Sequence, residues 1–245
     1  MTVRVILSAF GAAGMVNRLS QQGESYRPPS LDYLLGTDAA GRSVLPMLIH
    51  ATFGTVVEVL AASLVALCVG VTVGFIGAAT RTSFARFLAQ SATLLAYSTP
   101  LLVVTLLLYA LFGDNGAIFS VAAGGLLWGG IALAAHTSVQ IELPREYLVA
   151  ARAIGVTPVR LVWNHLLPNV LPVIRAAWLG TLAPLLNVSL IISFLGAQAG
   201  RPRLGSLIKS GYEVFPACPW LWIPPTFLCF TLLMLTGILT RKKHL

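Results

Sequence analysis

Residues 145–169 read REYLVAARAIGVTPVRLVWNHLLPN, a polar stretch between long apolar ones. Its first part is rich in strong helix formers. Four positions share one face of the predicted helix, at spacings of three, four and seven residues: Tyr147, Ala150, Ala151 and Ile154. Gly155 can end this helix, and Pro158 can begin the next one. The stretch therefore predicts a short helix at about 146–155, a sharp turn, and a second helix at 158–175 that runs as a stiff lever into the next apolar span.

Outside this stretch the chain is strongly apolar. Hydrophobic residues make up 57% of its 245 residues and charged residues only 10%, whereas a soluble domain is about one quarter charged. The mean hydropathy is +0.84. So few charges cannot cover a water-soluble body of this size, and the composition predicts an integral membrane protein.

A helix that crosses the hydrocarbon core needs roughly 20 apolar residues. Five charge-free windows are long enough: 59–80, 87–113, 115–141, 176–200 and 214–240. A shorter apolar stretch at 5–17 is interpreted as a short N-terminal span. The fold class is therefore all-α, a polytopic bundle of about six spans that forms one membrane domain over residues 1–245. Two pairs of small residues, Gly70 with Gly74 and Gly125 with Gly129, predict closely packed helices.

The basic residues give the orientation, because Lys and Arg collect on the cytoplasmic side. If the Arg241-Lys242-Lys243 end is cytoplasmic, most basic residues fall inside and both termini are cytoplasmic. Residues 142–172 then form the main cytoplasmic loop, and 18–50 and 198–216 are external segments. The net charge of +8 is thus explained by membrane topology. We expect the chain to contact membrane lipid and not nucleic acid.

The helix at 146–155 has two interpretations when its periodicity alone is considered. Its two small alanines would let it enter a groove on another protein, with Arg145, Glu146 and Arg152 pairing with charges at the rim. An amphipathic helix lying on the membrane surface fits the same pattern. The periodicity does not decide between them.

The spacing within this loop resembles the loop motif of ABC importer permeases. That motif is Glu-Ala-Ala, three residues, Gly, nine residues and a Leu-Pro ending, and here Ala150-Ala151, Gly155 and Leu167-Pro168 are in register. Val149 stands where the motif has Glu, so the polar contact expected of that Glu with the ATPase is missing. The wider phrase from Arg145 to Asn169 resembles the dipeptide, oligopeptide and nickel permease family.

Two external segments resemble the same family. The residues Gly36, Thr37, Asp38, Gly41 and Arg42 resemble the signature of its second, C-type permease subunit, although Ser43 stands where Asp is usual. Leu195-Gly196, Pro202 and Gly205 resemble the external segment before the last span, with Leu204 in the usual place of Trp. The resemblance covers roughly residues 31–240.

The resemblance implies a type I ABC importer architecture with a defined set of partners. These are a second permease subunit, two ATPase subunits that bind ATP and Mg²⁺, and an external solute-binding protein. It also implies the bacterial inner membrane and a di- or oligopeptide substrate, with nickel or a metal chelate as the alternative. The residues expected to couple the chain to the ATPases are Glu146, Tyr147, Ala150, Ala151, Arg152, Gly155, Pro158 and Pro168.

The chain itself is expected to be non-catalytic and to bind no cofactor or metal. It has no Gly-x-x-x-x-Gly-Lys-Ser/Thr phosphate-binding motif. Cys68, Cys218 and Cys229 are interpreted as small buried hydrophobes. An intramembrane Ser/His enzyme is a remote alternative, but Ser189 and Ser193 have no histidine at their predicted depth. A channel acting alone is another, but it has no need of the cytoplasmic loop motif.

Polar residues inside the spans are candidates for a substrate pathway, since unpaired polar groups in lipid are costly. The candidates are Glu58, Asn187, Ser189 and Ser193. Glu58 is expected near the external end of its span. It would either reach the interface, lie protonated against a neighbouring helix, or face the pathway and meet a cationic substrate. Thr99-Pro100 predicts a kink in the third span.

Overall fold

The computed structural model describes residues 24–79, 91, 98–113, 116–196 and 202–241. Within these ranges the regular elements are helical, apart from an isolated bridge between Thr37 and Ser43. The helices are α1 Val44–Ala79, α2 Leu101–Phe112, α3 Gly116–Glu142, α4 Glu146–Ala153, α5 Pro158–Leu161, α6 Leu167–Gly180, α7 Leu182–Leu195, α8 Leu204–Glu213 and α9 Pro219–Arg241. A single turn of π-helix, Val162–Leu166, joins α5 to α6. The all-α prediction is confirmed.

Four stretches of the described chain are long and apolar enough to cross a bilayer: Val44–Ala78, Ile118–Glu142, Val159–Leu195 and Pro219–Thr240. The chain is therefore a multi-pass membrane protein. The predicted spans 59–80, 115–141, 176–200 and 214–240 fall on these stretches. Of the span predicted at 87–113, residues 101–112 form the shorter helix α2, while its part at 87–90 and 92–97 and the whole span at 5–17 lie outside the described residues.

The start of α1 differs from the prediction. The charge-free window begins at 59, and Glu58 was expected near the external end of its span, yet the helix begins at Val44, 14 residues before it. Residues 44–50, expected in the external segment 18–50, are already helical. A charge-free window cannot include a carboxylate that is buried within a helix, as Glu58 is here.

The predicted kink at Thr99-Pro100 is a complete break in the described chain. Ser98 is still helical, Thr99 is a bend, and Pro100 caps a new helix in extended conformation. Proline disfavours the helical conformation of the residue before it and has no backbone N–H to donate. The helix therefore stops at this point, and α2 begins at Leu101.

Contacts divide the chain into two compact units, and the first comprises Met1–Val57 and Ser189–Leu233. Its described core is formed by Leu48, Ala51, Leu204, Leu207 and Cys229. Gly205 of α8 packs directly on Ser193 and on the backbone of Leu190. Cys218 and Cys229 are buried as predicted, whereas Cys68, in the other unit, is exposed on α1, because an apolar position of a membrane helix can face lipid.

The second unit comprises Glu58–Val188 and Met234–Leu245. In it α3 packs against both α2 and α6. The core residues are Ala66, Ile131, Ala135, Val139, Leu148, Ala151, Leu161, Leu166, Val170 and Ile174. This core extends from the membrane-length helices into the loop helix α4, so the loop is packed onto the bundle.

Small residues bring α1 and α3 together, as the sequence predicted. A Cβ on Gly70 would lie 2.7 Å from Ile131 Cβ, and one on Gly74 would lie 2.6 Å from the carbonyl oxygen of Ala132. The close contact predicted for Gly125 is wrong by one residue, because the neighbouring glycine makes it. A Cβ on Gly125 would meet no described residue within 4 Å, while the neighbouring Gly124 lies against Ala62 and Val65 of α1.

These adjacent glycines give a matched test of the packing. We expect Gly124→Ala to lower the free energy of unfolding by about 1–3 kcal/mol relative to Gly125→Ala, because only the first new methyl group meets a backbone carbonyl. The gain in helix propensity is the same at both positions and cancels in the comparison. Thermal unfolding of the two variants in detergent measures the difference, and equal midpoints would contradict the close approach of α1 and α3.

Candidate functional site

The loop helix α4 has well-defined ends. Arg145 precedes it in extended conformation, Glu146 lies in its first turn and Arg152 in its last, an arrangement of charges that suits the helix dipole. At the other end Gly155 has a φ of +81°. The N–H of Gly155 donates to Arg152 O at 3.0 Å, and the N–H of Val156 donates to Ala151 O at 3.1 Å. This pair of bonds is a Schellman motif, and it confirms that Gly155 ends the helix.

The two faces of α4 differ from the predicted pattern in one respect. Leu148 is fully buried and Ala151 nearly so, both in the core of the second unit. Tyr147 and Ala150 are exposed, and Ile154 is 82% exposed. Ala151 was predicted to share the outward face with these three residues, but it faces the chain's own core. Leu148, outside the predicted stripe, forms the rest of the buried face.

Beyond the turn, Pro158 begins α5 as predicted, and the chain continues into the stretch Val159–Leu195. Several apolar side chains of the loop remain exposed: Val149, Ile154, Val159 and Trp163. Large exposed apolar side chains in a polar segment are typical of a binding surface. The loop therefore combines a buried face that holds it to the bundle with apolar side chains exposed at its surface.

The π-turn before α6 follows from Pro168. In an α-helix the N–H of residue 168 would donate to Asn164 O, but proline has no N–H. The hydrogen-bond ladder instead widens, and the N–H of Leu167 donates to Val162 O, five residues back. One extra residue in a turn rotates all that follows by roughly 100°. This rotation places Asn169 on the side of α6 that meets Tyr147.

Three polar side chains meet there, and we call Glu142, Tyr147 and Asn169 the Tyr147 cluster. The hydroxyl of Tyr147 donates to Glu142 Oε2 at 2.8 Å, and Asn169 Nδ2 donates to the Tyr147 hydroxyl oxygen at 2.7 Å. Asn169 Nδ2 also donates to His165 O at 2.8 Å. Arg145 Nε lies 3.3 Å from Glu142 Oε2. Arg145 is therefore paired within its own chain rather than left for a partner.

The environment of the cluster raises the pKa of Tyr147 above its usual 10.0, because of partial desolvation and the hydrogen bond to Glu142. A raised pKa means that the protonated, donating hydroxyl is favoured by the folded loop. Its stabilising contribution is therefore fully present below pH 10.0 and is lost only as the pH rises through the higher folded value. Across neutral pH the cluster keeps its proton.

This gives a second prediction, on the titration of Tyr147. We expect Glu142→Gln to lower the pKa of Tyr147, since the carboxylate raises it, and Asn169→Ala to raise it further, since the Asn169 hydrogen bond lowers it. Carbon-13 NMR of ring-labelled tyrosine, assigned by comparison with Tyr147→Phe, measures both shifts. Equal titration of Tyr147 in all three proteins would show that the cluster does not form in solution.

The structure buries Glu58 within α1. It lies 14 residues after the start of α1, or roughly 21 Å along the helix, and it is only 4% exposed. The hydroxyl of Tyr109 on α2 donates to Glu58 Oε1 at 3.3 Å. Of the three alternatives for Glu58, this geometry agrees with the one in which the carboxyl group lies against a neighbouring helix.

The other pathway candidates are not brought together on one surface. Asn187 is exposed, whereas Ser189 and Ser193 are buried. The Ser193 hydroxyl donates to the carbonyl of Ser189 in its own helix at 2.7 Å. Ser189 Oγ has no hydrogen-bond partner among the residues that the structure describes. Neither hydroxyl is bonded to a base, which an intramembrane serine nucleophile needs.

In the external signature, Gly36 and Thr37 hold the segment before α1 together. The buried Thr37 hydroxyl donates to Glu24 O at 2.7 Å and accepts from the Arg27 N–H at 2.8 Å. Gly36 has a φ of +69°, and a Cβ there would lie 2.6 Å from Arg27 O and 2.7 Å from the Trp220 ring. Only glycine fits this conformation and this space.

The rest of the signature is a tight, self-contained turn. Asp38 Oδ1 accepts from the N–H groups of Ala40 and Arg42, and Asp38 Oδ2 pairs with the Arg42 guanidinium at 2.7 Å. Gly41 provides a positive φ of +73° between them. The five signature residues therefore have a local structural role, the two glycines through their backbone conformation and the other three through their side-chain hydrogen bonds.

Comparison with known proteins identifies the family. The family model described as the inner membrane component of binding-protein-dependent transport systems matches residues 70–241. The chain belongs to this family. The match includes the whole loop from α4 to α6, with the Tyr147 cluster.

Two similar proteins are named as peptide permeases. The chain is 28% identical over 210 residues to the oligopeptide transport system permease protein OppC of Haemophilus influenzae, covering 82% of this chain and 65% of the relative. It is 27% identical over 231 residues to the dipeptide transport system permease protein DppC of Lactococcus lactis subsp. cremoris, covering 94% and 67%. The chain thus spans about two thirds of the length of these relatives.

Solved structures of transport proteins show the same fold. An amino acid ABC transporter matches with a TM-score of 0.60 and 20% identity, over 81% of this chain and 94% of that chain. An inward-facing form of the MetNI methionine ABC transporter matches with a TM-score of 0.63 and 21% identity, over 80% and 94%. The predicted ABC permease architecture is therefore confirmed at the level of the fold.

Two residues of the site were not among those predicted from the sequence. Glu142 ends α3 and Asn169 lies in α6, and both bind the Tyr147 hydroxyl. Their spacings of five and 22 residues from Tyr147 give no periodic signal. The only pointer in the sequence is the position of Asn169 directly after Pro168, the residue that creates the π-turn.

Proposed function

We propose that this chain is a permease subunit of a binding-protein-dependent ABC importer for di- or oligopeptides. In this role it forms half of a substrate pathway through the bacterial inner membrane. It hydrolyses no ATP and couples the pathway to hydrolysis by partner subunits. Family membership supports the class of protein, and the printed functions of the relatives, oligopeptide and dipeptide transport, favour peptide over nickel as the substrate.

The observation that carries the proposal is the geometry of α4. The helix is preformed, it is held to the bundle by Leu148 and Ala151, and it exposes Ile154. A partner that grips it moves the bundle directly, because α3 ends at Glu142 and the next membrane-length stretch begins at Val159. A channel acting alone has no use for such a helix.

The partners that this role requires are a second permease subunit, two ATPase subunits and an external solute-binding protein. The ATPases hold ATP and Mg²⁺, bind at the loop on the cytoplasmic side and close when they bind nucleotide. The coupling residues are those predicted from the sequence, with Tyr147 and Ala151 acting through contacts within the chain rather than by contact with the partner. Both termini then lie in the cytoplasm.

Co-purification with the ATPase subunits tests the proposal. We expect Ile154→Glu to reduce the amount of ATPase retained by the chain about tenfold, because it places a charge in an apolar contact surface. Leu31→Glu is the matched control, since Leu31 is 98% exposed in the predicted external segment. A channel or an intramembrane enzyme would retain no ATPase even in the unmodified protein, and equal retention by both variants would show that α4 is not the docking element.

The substrate is tested on the assembled complex in lipid nanodiscs. Addition of the solute-binding protein with a peptide is expected to stimulate ATP hydrolysis, and addition of the same protein with Ni²⁺ is not. Stimulation by Ni²⁺ alone would replace the peptide assignment with the nickel alternative. Failure of both ligands in a complex that contains both ATPases would overturn both assignments.

A further inference from the structure

We propose that the Tyr147 cluster is a positioning link that fixes the direction of α4 relative to α6 and transmits its movement into the stretch Val159–Leu195. This inference rests on the proposed function, since it assigns a role within the coupling of the loop to the bundle. It changes the role of Tyr147 from a contact with the ATPase to a contact within the chain. It also adds two positioning residues, Glu142 and Asn169.

The need for such a link follows from the size of α4. Eight residues form a helix of roughly 12 Å, which is too short to be stable alone in water. Leu148 and Ala151 hold it by apolar contact, and apolar contact is non-directional. A helix held only in this way can slide or turn on its support when a partner pulls on it.

The hydrogen bonds of the Tyr147 cluster fix the orientation of α4. Its residues come from three separate elements: Glu142 ends α3, Tyr147 is in the first turn of α4, and Asn169 is in α6. The Tyr147 hydroxyl uses its donor toward one element and its acceptor toward another, at 2.8 Å and 2.7 Å. These bonds are directional, so together they fix the angle between α4 and both of its neighbours.

The hydrogen bonds of the cluster can be removed by substitution without unfolding the loop. Tyr147 is 37% exposed, so water can replace a lost hydrogen bond and the cost to overall stability is small. The apolar packing of α4 depends on Leu148 and Ala151, neither of which takes part in the hydrogen bonds of the Tyr147 hydroxyl. Loss of the Tyr147 hydroxyl therefore leaves the orientation of α4 unfixed but keeps its apolar packing intact.

The test uses the complete complex in nanodiscs with its ATPases and solute-binding protein. Tyr147→Phe and Asn169→Ala are expected to reduce ligand stimulation of ATP hydrolysis about five- to tenfold while basal hydrolysis and ATPase retention stay unchanged. The double variant should be no worse than either single one, because both cut the same link. Glu142→Gln, which keeps an acceptor, should retain most of the stimulation that Glu142→Ala loses. Asn164→Ala, at an exposed position of the π-turn, is the matched control.

A distance measurement separates this inference from the proposed function. Spin labels at the exposed Val149 of α4 and Val173 of α6 report the angle between the helices without any partner. We expect a broader distance distribution in Tyr147→Phe than in the unmodified chain. An unchanged distribution, unchanged stimulation, additive losses in the double variant, or loss of ATPase retention in Tyr147→Phe would each overturn the link. An unmodified complex that retains no ATPase would overturn the proposed function, and the spin labels would still decide whether the link exists.

Discussion

A complex that carries Gly155→Pro should lose ligand-stimulated ATP hydrolysis entirely, while the chain still inserts into the membrane. Gly155 has a φ of +81°, whereas the proline ring fixes φ near −65°. Proline also removes the N–H that donates to Arg152 O, and it disfavours the near-helical ψ of 8° at Ile154. These effects disfavour the turn by about 3 kcal/mol or more, which is roughly a hundredfold shift in its population.

The series at position 155 separates backbone strain from crowding. Among the residues that the structure describes, no atom lies within 4 Å of a Cβ at Gly155, so we attribute the effect of a side chain there to the positive φ. Asn tolerates this conformation and should retain most of the stimulation, whereas Ala, at a cost of about 1–2 kcal/mol, should be intermediate. Rates of ATP hydrolysis with and without loaded binding protein measure the order. Normal stimulation in the Pro variant would show that the turn does not transmit movement.

The local features that were predicted correctly at this loop are those that depend on near neighbours. Gly155 and Pro158 act on their own turns of helix, so their positions alone indicated where α4 ends and α5 begins. The missing N–H of Pro168 is just as local, and the π-turn was in principle predictable from it. Features of the loop that depend on contact with a distant helix were not predictable. Periodicity places Ala151 beside Tyr147 and Ile154, but the apolar support beneath α4 decides which face is buried.

The extension of α1 well before Glu58 was not predicted for the same physical reason. A charge normally ends a membrane span because burying it is costly, and the sequence gives no sign of what the carboxyl group will meet. Its partner Tyr109 is 51 residues away on α2. A hydrogen bond between helices removes part of the cost of burial, so the helix continues past the residue. Pairing between distant polar residues therefore decided both the boundary of α1 and the composition of the Tyr147 cluster.

The second large effect is expected at Glu58. Glu58→Ala should lower the free energy of unfolding by about 2–4 kcal/mol, because it leaves a cavity and deprives the buried Tyr109 hydroxyl of its acceptor. Tyr109→Phe removes only the donor and should cost about 1–2 kcal/mol. Glu58→Gln keeps the size and a carbonyl acceptor, and we expect its stability to be close to that of the unmodified chain. Thermal unfolding in detergent measures all three.

Glu58→Gln also separates the two remaining roles of this residue, because it changes the charge and little else. If Glu58 is a hydrogen-bonded tie between α1 and α2, the Gln variant keeps both its unfolding midpoint and its peptide uptake. If the carboxylate instead meets the cationic amino group of a substrate, uptake falls while the midpoint is unchanged. The 4% exposure of Glu58 and its bond to Tyr109 favour the first outcome, since the carboxyl group is buried against a neighbouring helix. Loss of uptake at constant stability would therefore require a second conformation in which the bond to Tyr109 opens.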